Sequence, residues 1–172
     1  MRSDRIKRLA LSALFVTVML MLGYVESLVP TGVPGIKLGL SNSVLILAIA
    51  WLGIPTAFAL MIVKVLLSGF LFSGVNAMLY AFAGGVLSMA LMSLLYKSRA
   101  FSLTPIAMAG AVAHNMGQVL MAMLILQTGK LLYYMAILML AGLVTGFVTG
   151  TIASILIRRL PRSLLPKDSR DE

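Results

Sequence analysis

Apolar residues run along this chain in long blocks rather than alternating with polar ones. Six blocks stand out, at 9–28, 41–52, 55–72, 75–96, 105–126 and 131–157. A helix needs about 20 apolar residues to cross the hydrocarbon core of a bilayer, and five of the blocks are of about that length. The second is short: it has either to begin within the polar segment before it or to cross part of the membrane. Turn chemistry separates the blocks: Pro30-Thr31-Gly32-Val33-Pro34-Gly35, Gly53-Ile54-Pro55, Ser73-Gly74, Lys97-Ser98-Arg99 and Thr128-Gly129-Lys130. The pattern predicts an all-α membrane protein. It is a compact bundle of six transmembrane helices forming one integral membrane domain over residues 1–172.

Composition agrees. Sixty per cent hydrophobic residues and a mean hydropathy of +1.04 exclude an ordinary soluble domain. Fourteen Lys and Arg against five Asp and Glu give a net charge of +9. In a soluble protein that excess points to nucleic acid; here the basic residues collect outside the apolar blocks, and no nucleic-acid partner is expected. With six spans, Arg2, Arg5, Lys7, Arg8, Lys97, Arg99, Arg158, Arg159, Arg162, Lys167 and Arg170 share one side with both termini. The positive-inside rule makes that side cytoplasmic and puts the Lys37 segment outside. The expected location is the bacterial cytoplasmic membrane, with several passes. Arg2 to Arg8 followed by an apolar block resembles a secretory signal, but no small-residue cleavage site follows and the block is long, so a retained first helix is expected. The chain has no cysteine, hence no disulfide, thiolate metal site or cysteine nucleophile.

The segment Pro34-Gly35-Ile36-Lys37-Leu38-Gly39-Leu40-Ser41-Asn42 changes the picture. It sets a lysine, two glycines and an asparagine between two apolar blocks. Gly35 and Gly39 allow close backbone approach, Lys37 offers a point charge with three donors, and Asn42 stands where it could cap the next helix. Polar side chains inside spans are costly and face a cavity or a partner. Those in this chain are Lys64 in the third span and His114, Asn115 and Gln118 in the fifth, with Glu26 near the outer end of the first. Tyr133 and Tyr134 open the sixth. In a compact bundle Lys37, Lys64, His114 and Gln118 converge on one outward-facing cavity. Plainer readings stand beside this one. A connecting loop explains the Lys37 segment, interfacial aromatics the tyrosines, helix–helix hydrogen bonds Asn115 and Gln118, and pairing with Glu26 explains Lys64. His114 as an axial haem ligand is a further alternative.

Absences narrow the chemistry. No G-x-x-x-x-G-K-[ST] phosphate loop occurs, and no span holds a carboxylate pair to bind Mg²⁺. The chain is therefore expected not to be an enzyme, with no catalytic cofactor and no metal. A basic, amide-lined cavity points to binding of an anionic or amphipathic small molecule. Gly142, Gly146 and Gly150 recur at four-residue spacing in the sixth span and predict close packing against a neighbouring helix. A shorter pattern, Ala10, Ala13 and Thr17, offers the first span a face for a partner subunit.

Laid side by side, Pro34 to Leu40 with Asn42, Ala83-Gly84-Gly85 with Ser88, Gly110 to Asn115 with Gly117-Gln118, and Tyr133-Tyr134 give the chain a family look. It resembles heptaprenyl diphosphate synthase component I, also called the Gx transporter family. It looks like a relative of the substrate-binding S components of energy-coupling-factor transporters. Lys64 stands where the family pattern more often has arginine, and Met135-Ala136 replaces a Leu-Pro. The resemblance implies an importer subunit that captures an isoprenoid or quinone precursor, a flavin or haem, a ligand that can itself be a cofactor. It implies separate partners: a transmembrane coupling subunit and two ATP-binding-cassette ATPases. The substrate-binding residues expected on this reading are Gly35, Lys37, Gly39, Asn42, Lys64, Gly84, His114, Asn115, Gln118 and Tyr133. The alternatives are a membrane accessory of polyprenyl diphosphate or quinone biosynthesis that binds prenyl diphosphate, and an ion-driven secondary transporter relying on Glu26.

Overall fold

The computed structural model describes residues 2–29, 37 and 39–159, among which there are seven α-helices and no β-strand. They are α1 (Arg2–Ser27), α2 (Leu40–Ser43), α3 (Leu45–Leu52), α4 (Ile54–Ser68), α5 (Gly74–Ser98), α6 (Leu103–Leu126) and α7 (Leu132–Arg159). A π-helical turn, Gly69–Ser73, follows α4, and a 3₁₀ turn, Gly129–Leu131, precedes α7.

Two glycines turn the chain where the sequence places its breaks. Gly53 (φ 85°, ψ 163°) separates α3 from α4, and Gly74 (φ 80°, ψ 167°) separates the π turn from α5. That backbone region is almost closed to residues with a Cβ. Pro55 follows Gly53 in the first turn of α4, where its missing N–H costs nothing.

The helix neighbours are antiparallel. A Cβ on Gly69 would lie 2.8 Å from Met78 Cβ, and one on Gly85 would lie 2.6 Å from Met61 Sδ, so α4 and α5 fold back on each other about Gly74. A Cβ on Gly146 would come to 2.6 Å from Met108 Cα, and one on Gly150 to 2.8 Å from Thr104 Cα. The glycine series of the sixth apolar block therefore packs within the chain, with α7 backbone laid against α6 backbone. Ala10, Ala13 and Thr17 of α1 are exposed.

Four helical stretches are long and apolar enough to cross a membrane: Asp4–Ser27, Ile54–Ser98, Leu103–Leu126 and Gly129–Arg159. The expected third and fourth spans are the two limbs of the Ile54–Ser98 stretch. The expected second span is short, as its sequence block is. Its helical run is Leu40–Leu52, about 20 Å at 1.5 Å per residue, short of the ~30 Å core. It starts at Leu40, within the C-terminal part of the Lys37 segment. Large apolar side chains face outward all around the bundle, Phe70, Leu124 and Leu9 among them. That surface suits lipid.

The buried interior holds two apolar clusters. The larger joins α1, α3, α4 and parts of α5 and α6 through Met19, Leu45, Ile46, Ile49, Met61 and Val65. The smaller joins α5, α6 and α7 through Tyr80, Val119, Ala122 and Leu138. Between α1, α3 and α7 runs an apolar groove of about 630 Å³ lined by Phe15, Leu47, Trp51, Val148 and Ile152. The antiparallel pairing brings Lys97 and Arg99 to the same end as Arg158 and Arg159.

Candidate functional site

Polar side chains gather where α2 meets α4, α5 and α6. Asn42, Lys64, His114, Asn115 and Gln118 are each 4% exposed or less. Burying so much polar surface among apolar helices is costly unless the groups satisfy one another, and here they form a chain. Lys37 donates its backbone N–H to Gln118 Oε1 at 2.9 Å. Gln118 Nε2 meets His114 Nε2 one helical turn away on α6. On the other edge of the ring, His114 Nδ1 meets Asn42 Nδ2. Asn42 Oδ1 accepts from Lys64 Nζ at 2.9 Å.

Lys37 adds a second charge beside this chain. Its ammonium donates to Ser73 Oγ at 2.6 Å and lies 4.9 Å from the centre of the Phe72 ring, a cation–π distance. Burial pushes the Lys37 ammonium below its ordinary pKa of 10.5, against the opposing pull of the Glu26 carboxylate. Ser73 and Phe72 belong to the π turn and escape a sequence reading. Neither is charged, and what matters is the wide turn that aims them back at Lys37.

Glycine makes room for the ring. A Cβ on Gly84 of α5 would lie 2.5 Å from the His114 carbonyl oxygen and 2.7 Å from His114 Nδ1. On the opposite side Gly39, at φ 90°, turns the chain into α2 so closely that a Cβ there would sit 3.3 Å from His114 Cδ2. The sole histidine is thus clamped between two backbones.

Two expectations for individual residues need revision. Asn42 does not cap the helix it opens; its amide is committed to His114 and Lys64. The free N–H groups of α2 are taken by Glu26, whose carboxylate accepts from Leu40 N at 2.6 Å and from Ser41 N at 3.4 Å. The pairing of Lys64 with Glu26 is replaced by the bond to Asn42.

Of the ten residues expected to form the site, seven come together: Lys37, Gly39, Asn42, Lys64, Gly84, His114 and Gln118. Asn115 lies alongside but turns toward α7, donating to the Leu138 carbonyl at 2.6 Å; its buried Oδ1 has no hydrogen-bond partner and faces Gly39. Tyr133 stands apart, 86% exposed on the outside of α7. Gly35 lies outside the described residues. The seven form one hydrogen-bonded cluster. Two cavities lined by described residues lie elsewhere, the groove above and a second between α5, α6 and α7.

Chemically, the cluster offers two ammonium groups, two primary amides and an imidazole. It is rich in donors and poor in acceptors. Among the described residues, no group of three or more His, Cys, Asp or Glu side chains is placed to hold a metal. The family model described as heptaprenyl diphosphate synthase component I matches residues 15–156, and the chain belongs to that family. No curated protein and no solved structure matches.

Proposed function

We propose that this member of the heptaprenyl diphosphate synthase component I family is a membrane-embedded accessory chain that binds the diphosphate end of a prenyl diphosphate. The observation that carries the reading is the buried meeting of the Lys64 ammonium with the Asn42, His114 and Gln118 side chains, with the Lys37 backbone N–H on Gln118 and its half-buried ammonium alongside on Ser73. Cations and N–H donors around a single centre fit an oxygen-rich anion. The apolar remainder of such a ligand needs no dedicated pocket, because a site inside the bilayer leaves it in lipid. The chemistry of chain elongation would lie with a separate prenyl transferase chain, since no span of this chain carries paired carboxylates for Mg²⁺.

In this reading α1, the α2–α3 run, the α4–π limb, α5, α6 and α7 are six membrane-embedded segments. The end that carries Lys97, Arg99, Arg158 and Arg159 faces the cytoplasm of a bacterial cell, and the Lys37 cluster lies toward the outer face. Purified protein in lipid nanodiscs should gain thermal stability with farnesyl diphosphate and none with farnesol, which lacks the anion. Lys64→Met should weaken that binding at least tenfold. A charge-assisted hydrogen bond is worth about 1.5–3 kcal/mol, and every 1.4 kcal/mol is a factor of ten. Equal responses to the diphosphate and the alcohol would end the proposal.

One observation favours a second reading, the substrate-binding subunit of an energy-coupling-factor importer. The cationic residues and the Lys37–Ser73 contact lie at opposite ends of α5, with His114 about midway along α6, an arrangement that suits import with a cytoplasmic coupling chain. Recovery of a membrane coupling subunit with two ATPases on mild solubilisation supports the importer; recovery of a soluble prenyl transferase supports the accessory chain.

A further inference from the structure

The hydrogen-bond chain through the cluster does not balance. Its two ends are the backbone N–H of Lys37 and the ammonium of Lys64, and both can only donate. Each therefore draws an amide oxygen toward itself. That leaves the amino group of Gln118 facing one ring nitrogen of His114 and the amino group of Asn42 facing the other. A neutral imidazole has one acceptor nitrogen, and a protonated one has none. One of the two contacts must set N–H against N–H. Turning either amide over moves the conflict to its other neighbour and does not remove it. Because every member but Lys37 is nearly sealed from solvent, the mismatch cannot be relieved by bulk water.

From this imbalance we infer that, among the described residues, the hydrogen-bond chain, which the unpartnered Asn115 Oδ1 does not join, is one acceptor short, and that an anionic oxygen of the bound ligand supplies it by seating between the His114 ring and the Asn42 amide as the two draw apart. The inference rests on the anion-binding reading above and adds where the anion goes and why. The entering oxygen accepts from Asn42 Nδ2 and from the spare N–H groups of Lys64 at once, which a hydroxyl or an apolar group does less well. A phosphate or carboxylate oxygen, with several lone pairs and no proton of its own, is the best occupant. Selectivity for an ionised head over the matching alcohol then follows from proton arithmetic in the cluster as well as from charge.

His114 is the sole histidine, so imidazole ¹⁵N signals from selectively labelled protein in nanodiscs report this ring alone. Farnesyl diphosphate should shift those signals together with the thermal midpoint, and farnesol should move neither. Asn42→Asp supplies the missing acceptor permanently. It should raise the midpoint of the ligand-free protein, fix the ring as the Nδ1–H tautomer, and cut the affinity for farnesyl diphosphate at least tenfold. Gln118→Glu should do the same from the other edge, with Nε2–H fixed instead. A diphosphate that raises the midpoint while the imidazole signals stay put overturns this placement and leaves the binding reading intact. A diphosphate without effect on the wild-type midpoint overturns the binding reading and this placement with it. A lowered midpoint in both acidic variants overturns the donor surplus.

Discussion

The two halves of the bundle are built differently. On one side α5, α6 and α7 are full-length helices pressed together by glycine, close enough that Gly84, Gly146 and Gly150 leave no space for a methyl group. On the other, α2 and α3 make a short run, α1 presents an exposed face of small residues, and an apolar groove separates α1 from α7. The cluster lies on the seam. His114 and Gln118 come from the tight half; Lys37, Asn42 and Lys64 come from the looser one. A binding site that must both hold a ligand and admit it gains from such a division, because the rigid half fixes the hub while the other half can yield.

That contrast can be broken most severely at Gly146. A branched side chain there, as in Gly146→Val, has to push α7 off the α6 backbone, and the expected outcome is loss of folded protein on size-exclusion chromatography. The same change at Gly129, where a Cβ meets nothing within 4 Å, should be silent in that assay. Next in size is Gly84→Ala. Its methyl would collide with the His114 carbonyl, so a loss of about 1–3 kcal/mol is expected in thermal or denaturant unfolding. Ligand response should vanish with it, because the ring is displaced.

A smaller effect should come from Glu26→Gln. The neutral amide still offers one oxygen to the α2 N–H groups but loses the charge that helps hold them. A drop of about 0.5–2 kcal/mol is expected, and measured exchange protection should fall in α2 before it falls in α6. The pH dependence sharpens the comparison more gently. Lys37 attracts an anion while protonated, and burial lowers its pKa. Affinity for farnesyl diphosphate should therefore decline with rising pH earlier than an exposed lysine would allow. Lys37→Gln should flatten that decline. Smallest of all is Tyr133→Ala, on the exposed side of α7; titration with farnesyl diphosphate should show no change.

Much of this arrangement is legible in the sequence because hydrophilic atoms inside lipid are expensive. Lys64, His114 and Gln118 each interrupt a long apolar block, and such residues have few places to go except toward one another. The glycine spacing in α7 is legible for a related reason, since small residues are what lets helices approach where lipid gives no hydrophobic drive. Other features depend on the path of the backbone. Ser73 and Phe72 reach Lys37 through a π-helical turn that leaves no residue signature, and Asn42 lies inside α2, whose first N–H groups are taken by Glu26, fourteen residues before Leu40. Tyr133 enters the expected site through the family resemblance, and the helix turns it outward. The pairing within the cluster is not legible either: composition says which groups are hydrophilic, and packing decides which of them meet.

The brevity of the Leu40–Leu52 run has a consequence for the lipid around it. In the six-segment reading proposed above, a rod about 10 Å shorter than the hydrocarbon slab leaves the space beyond Leu40 to a thinned leaflet or to headgroups drawn inward. Such a dimple would bring the aqueous phase down toward Leu40, shortening the path a charged molecule must travel through oil to reach Asn42 and Lys64.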